Sequence, residues 1–95
     1  MNLLFEWDRK KAASNFSKHG VSFEEALTVF SDPLARIFDD EGHSIEERRE
    51  VIIGHSSPGQ LLVVCFAARG ESVRIFSART ATRRERKDYE ENIER

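Results

Sequence analysis

The stretch Leu61-Leu-Val-Val-Cys-Phe-Ala-Ala68 decides the fold. Every position in it is apolar, which suits a strand covered on both faces, and its eight residues fall far short of the ~20 needed to cross a bilayer as a helix. Turn chemistry brackets it, Ser56-Ser57-Pro58-Gly59 before and Arg69-Gly70-Glu71-Ser72 after. Beyond the second turn, Val73–Arg79 reads as another strand. Upstream, Arg49–Gly54 and Leu34–Phe38 read as two more, joined by a polar loop from Asp39 to Glu47. Short turns between neighbouring strands imply a meander, so the spacing predicts a four-stranded antiparallel sheet. Strict alternation along the last strand puts Val73, Ile75, Ser77 and Arg79 on one face and Arg74, Phe76 and Ala78 on the other.

Helical signals flank this β region. Leu3–Trp7 reads as a short strand, and Asp8 then N-caps a helix running to Lys18 or His19, with Ala12, Ala13 and Phe16 in helical period and Gly20 at C′. Ser22 with Glu25 has capping-box spacing. Phe23, Ala26, Leu27 and Phe30 form the apolar stripe of a second helix, which Asp32-Pro33 ends. Thr82 with Glu85 opens a last helix to about Glu94, whose thin apolar stripe is Tyr89 and Ile93. The order β-α-α-β-β-β-β-α places two helices before the sheet and one after it, an α+β domain.

Ninety-five residues fill one domain, 1–95, and a chain this short buries only about 60–65% of its unfolded surface. A single cysteine, Cys65, excludes an intramolecular disulfide, and its place in the apolar run is that of a small buried hydrophobe. The N-terminus has no basic segment followed by a long apolar stretch, so the cytoplasm is the expected compartment, with no membrane contact. Net charge is −2, yet its distribution is uneven. Residues 1–50 carry 7 Lys/Arg and 11 Asp/Glu, whereas residues 51–95 carry 8 and 6, with seven of those eight cations between Arg69 and Lys87. Binding a polyanion depends on such local charge more than on the total.

Three histidines at 19, 43 and 55 and one cysteine give no metal-ligand spacing, and there is no Gly-rich phosphate loop or nucleophile elbow, so no metal or cofactor is expected. The acidic clusters Asp39-Asp40-Glu41 and Glu46-Glu47 read as solvated loop. What remains is a set of cations. Lys18-His19 closes the first helix, where positive charge also simply suits the macrodipole. Arg49 opens a strand, and Arg74 and Arg79 lie within and at the end of the last one. Arg83, Arg84, Arg86 and Lys87 crowd a helix N-terminus, which opposes the macrodipole at about 0.3–1 kcal/mol each. Such placement points to anion binding, with a solvated basic face as the competing reading. Trp7, the one tryptophan, reads as a core anchor.

Several segments together resemble the BrnT toxin family of bacterial type II toxin–antitoxin systems: Phe5-Glu-Trp-Asp8, Lys18-His-Gly-Val-Ser-Phe-Glu-Glu-Ala26, Val29-Phe30 with Asp32-Pro33, Glu47-Arg-Arg49 with Ile53-Gly54, Ile75-Phe-Ser-Ala-Arg79 with Ala81-Thr82, and Arg84-Glu-Arg86 with Tyr89. They occur in the family's order and span nearly the whole chain. The strand departs from the usual I-I-S-A-R at Phe76, where burial should be unaffected.

The resemblance implies a fold similar to RelE-type ribonucleases, RNA cleavage that arrests translation, and neutralisation by a BrnA-type antitoxin with a ribbon-helix-helix DNA-binding element. It also implies a toxin–antitoxin heterotetramer that reaches operator DNA only through the antitoxin. Cleavage would proceed by attack of the RNA 2′-OH on the adjacent phosphate, without a metal. On this reading Arg49 and Arg79 clamp the phosphate, because guanidinium forks match its oxygens. His19 carries the proton, Lys18 neutralises charge beside it, Tyr89 positions or stacks on a base, and Arg74, Arg83, Arg84 and Arg86 guide the RNA backbone.

Two further classes compete. One is a non-catalytic module that binds the antitoxin and assists it as co-repressor; the other is a degenerate toxin kept as an interaction protein. RNA cleavage in the presence of EDTA separates them. The doubly covered central strand gives the partner a physical basis. Two short helices cover one sheet face and the last helix only part of the other, so apolar surface should remain for an antitoxin segment.

Overall fold

The apolar run sits at the centre of the sheet, as its two-sided burial requires. The computed structural model describes residues 3–40 and 47–93. Strand β4 (Leu61–Arg69) lies between β3 (Glu50–His55) and β5 (Ser72–Thr80), antiparallel to both. Strand β2 (Arg36–Asp39) pairs antiparallel with β3 and forms one edge. The other edge is β1 (Leu4–Glu6), which runs parallel to β5 with Leu4 opposite Ser72. The order is β1-β5-β4-β3-β2, a five-stranded mixed sheet in place of the expected four antiparallel strands. Alternation identifies a strand but carries no information about a partner some seventy positions away, which is why the first strand was legible and its pairing was not. Of the loop expected over 39–47, residues 41–46 lie outside the described residues.

Helices α1 (Arg9–His19) and α2 (Phe23–Leu27), with a 3-10 turn (Thr28–Ser31) continuing α2, cover one face of the sheet. Their ends follow local chemistry. Asp8 accepts a hydrogen bond from the Lys11 amide at 3.0 Å, Gly20 takes the left-handed conformation at φ 72°, and Ser22 Oγ accepts from the Glu25 amide at 3.0 Å. The core on this face joins Val21, Phe23, Ala26 and Val29 to Ile52, Leu62, Val64, Phe66, Val73, Ile75 and Ala78. Trp7 packs edge-on against Phe23, centroids 5.8 Å apart, as an anchor.

Helix α1 departs from its expected apolar stripe. Phe16 is 57% exposed, and the buried position is Asn15. Strand β1 pairs with β5 only as far as Arg74, and further along that edge the Asn15 amide takes up the free backbone groups of Ala78, at 2.8 Å to its carbonyl and 3.1 Å from its amide. A third bond, at 3.0 Å, goes to the Val21 carbonyl. Asn15 thus stands in for a missing strand and fastens α1 to β5.

On the opposite face α3 (Arg83–Ile93) packs through Tyr89 against Ile53 and Leu61, with Val63 and Ala81 beside them. Its first turn is the expected reciprocal capping box, Thr82 Oγ1 accepting from the Glu85 amide at 3.1 Å and Glu85 accepting from the Thr82 amide at 2.8 Å. The side chain of Ile93 lies outside the described residues. No helix among the described residues is long and apolar enough to cross a membrane.

Candidate active site

A bulge in β5 builds the site. Phe66 pairs with Ile75 and Cys65 with Ser77, which leaves Phe76 as an extra residue. Before the bulge Val73 and Ile75 face the core; after it Ala78 does, and Ser77 and Arg79 turn away. Strict alternation would have set Arg79 on the face of Val73 and Ile75. The inserted residue reverses that, placing Arg74, Phe76, Ser77 and Arg79 on the face opposite α1 and α2's core. The expectation that Phe76 shares the face of core Ala78 is corrected in the same way.

A groove of about 410 Å³ opens on this face. Val51, Val63 and Cys65 form its floor, and Phe76, Ser77 and Arg79 one wall. Lys11 reaches it from the first turn of α1, Arg49 from the residue before β3, and Asp40 from the residue after β2. Three cations and one carboxylate therefore line it among the described residues. The Arg49 guanidinium carbon lies 3.9 Å from the centroid of the Phe76 ring, and Lys11 Nζ lies 5.7 Å from the same centroid. Sequence reasoning missed Lys11, which carries no local mark separating it from a solvated helix lysine.

Arg79 is held by Glu85 in a bidentate pair, Nη1–Oε1 at 2.8 Å and Nη2–Oε2 at 2.9 Å. That pair, with the Thr82 amide, holds the Glu85 carboxyl down at about 2. Arg79 Nη1 also donates to the Thr80 carbonyl at 3.3 Å. A guanidinium carries five N–H groups. Three are engaged among the described residues, and the other two make no bond there. Cys65 is inert as a nucleophile at neutral pH. Burial, and the Asp40 carboxylate to which its Sγ donates at 3.3 Å, push its thiol up to about 12.

The remaining expected residues are placed differently. Tyr89 is 2% exposed and its hydroxyl donates to Asp32 Oδ2 at 3.2 Å, so its ring anchors α3 and presents no face for a base to stack on. Asp32, read from sequence only as a helix stop, is the hub of this cluster. Its Oδ1 accepts from the Leu34 amide at 2.9 Å and its Oδ2 from the His55 amide at 2.7 Å. Burial pushes the Asp32 carboxyl up, but these bonds outweigh it and hold the pKa below the ordinary value. Gly54 permits the approach, since a Cβ there would lie 3.0 Å from Asp32 Oδ2 and 2.8 Å from Ala35 Cβ. Lys18 and His19 are exposed at the end of α1 and line neither groove. Arg83, Arg84 and Arg86 are exposed on α3, whose sheet-facing positions are Glu85, Asp88, Tyr89 and Asn92. Arg74 is half-buried and pairs with Glu6 at 3.2 Å. Of the expected site residues, the fold brings Arg49 and Arg79 together.

A second groove, of about 520 Å³, runs between α3 and the sheet. Its floor is Phe38, Val51, Ile53 and Val63, and it shares Val51, Val63 and Arg79 with the first. Ile37 and Phe38, on edge strand β2, are 52% and 50% exposed. Apolar surface does remain beside α3, as the covering argument expected.

Residues 7–85 match the profile of a family described as the ribonuclease toxin, BrnT, of type II toxin–antitoxin systems. The fold is similar to the crystal structure of the Brucella abortus ribonuclease toxin BrnT, with a TM-score of 0.63, 24% identity, and coverage of 87% of this chain and 99% of that one. No curated protein is matched.

Proposed function

The chain belongs to the BrnT family of type II ribonuclease toxins, and from that premise we propose that it cleaves RNA in the cationic groove by attack of a 2′-OH on the adjacent phosphate. The observation that carries this reading is that Arg49, just before β3, and Arg79, on β5, line one groove with Lys11. In the reaction the 2′-oxygen forms a bond to phosphorus and loses its proton. The 5′-oxygen departs with the bonding electrons and gains a proton, leaving a 2′,3′-cyclic phosphate and a 5′-OH. Negative charge builds on the non-bridging oxygens between these events, and guanidinium groups fixed beforehand stabilise it most. Arg79 is fixed by Glu85 and keeps two N–H groups for the phosphate. Arg49 and Lys11 add charge in the same groove, so the groove residues can meet this demand without a metal ion. The proton-carrying role expected of His19, and the charge-neutralising role of Lys18, are not part of this reading, because neither residue lines the groove.

A type II toxin implies an antitoxin. The apolar groove beside α3 and the open edge of β2 suit an extended or helical antitoxin segment that buries Phe38. A BrnA-type ribbon-helix-helix protein, a heterotetramer, operator binding through the antitoxin, and translational arrest in the cytoplasm complete the reading. The test is purified chain, free of antitoxin, incubated with RNA in EDTA. Fragments ending in a 2′,3′-cyclic phosphate support it, and 2′-deoxy substitution at the cleaved position should block the cut. Intact RNA would leave the co-repressor role as the account.

A further inference from the structure

Phe76 stands where the strand alternation fails, and the two cations nearest it are both in the groove. The bulge carries its ring out of the core face and under Arg49. A separation of 3.9 Å between Cζ and the centroid is van der Waals contact. A guanidinium presented edge-on would place its N–H groups between the two and hold Cζ farther off, so the approach is face-on. The N–H groups then lie in the guanidinium plane and not against the ring. Lys11 Nζ, at 5.7 Å, is within the range of the same ring. Two like charges are thus drawn to one aromatic ring, which offsets part of their repulsion.

We propose that Phe76 is a positioning residue for RNA cleavage: its ring holds the Arg49 guanidinium flat and aimed into the groove before substrate binds. This rests on the reading of the groove as the RNA site. Each rotamer that the stack excludes is one fewer to be given up on binding. The stack removes that loss in advance. An aliphatic side chain of similar volume would fill the same space but lacks the quadrupole that attracts the cation.

The test compares wild type, Phe76→Leu, Phe76→Tyr, Arg49→Ala and the Phe76→Leu/Arg49→Ala double variant on one RNA oligonucleotide, with thermal unfolding run in parallel. Loss of the stack should lower kcat/KM in Phe76→Leu by roughly three- to thirtyfold, while Phe76→Tyr stays within about twofold of wild type by the same reasoning. Adding Phe76→Leu to Arg49→Ala should change nothing further, because the residue acts through Arg49. The Arg49 Hδ resonances should lie upfield in wild type and Phe76→Tyr, and move downfield in Phe76→Leu. A penalty of equal size in the Arg49→Ala background, an equal loss in Phe76→Tyr, or unshifted Arg49 resonances in wild type would overturn the proposal. Should wild type leave RNA intact, the cleavage reading fails. The positioning role is then read from affinity for a 2′-O-methyl RNA, which Phe76→Leu should weaken by the same factor, and unchanged affinity would overturn it.

Discussion

Arg79 and Glu85 share a bidentate ion pair that joins the end of β5 to the first turn of α3, with both N–O distances under 3.0 Å. Glu85 also closes the capping box, so one carboxylate orients the arginine proposed to bind phosphate and starts a helix. The Arg79 hydrogen bond, with the Thr82 amide, holds its folded-state pKa at about 2, against an ordinary 4.5. The sign follows directly: a depressed pKa contributes stability above the unfolded value, and that contribution is lost as pH falls from about 4.5 towards 2. Glu85→Gln mimics the protonated form. Its Tm should be lower than wild type at pH 7, and the gap should close between those two pH values. A constant gap would show that the carboxylate charge is not what Glu85 contributes.

Asn15 is expected to carry more stability than any other polar residue in α1. It is 8% exposed and satisfies both backbone groups of Ala78. Asn15→Ala leaves those groups buried without partners, at a cost of about 3 kcal/mol in urea unfolding. A loss below about 1 kcal/mol would mean that water replaces the side chain.

Tyr89→Phe separates an anchoring role from a role in binding RNA. Removing the hydroxyl leaves Asp32 without one donor and should cost about 1 kcal/mol in stability. Because the ring is buried, KM for RNA should be unchanged. A raised KM with unaltered stability would return Tyr89 to the RNA site.

What could be read from sequence was what local chemistry determines. Asp8, Gly20, Ser22 with Glu25, and Thr82 with Glu85 each mark a helix end through bonds spanning a few residues, and each was legible. The resemblance singled out Arg49 and Arg79, and the fold brings them together. What could not be read depends on distant partners. The bulge at Phe76 has neither Gly nor Pro to announce it; it arises from the register of β4 against β5, and it alone decides which face Arg79 occupies. Asn15 resembles any polar helix residue until Ala78 arrives beside it, and nothing local tells that Tyr89, read as part of an apolar stripe and as a base-positioning residue, has its hydroxyl taken by Asp32. Lys11 enters the groove because α1 crosses β5 there, which no spacing within α1 reveals.

The central claim is that two guanidinium groups lining one groove stabilise the charge of a cleaving phosphodiester. Cleavage of a single RNA oligonucleotide by Arg49→Ala and Arg79→Ala, each shown by circular dichroism and thermal unfolding to be folded, tests it most directly. Each substitution should lower kcat/KM by about 10²–10³-fold, the loss typical of one such donor. Two folded variants that cut RNA at the wild-type rate would contradict it.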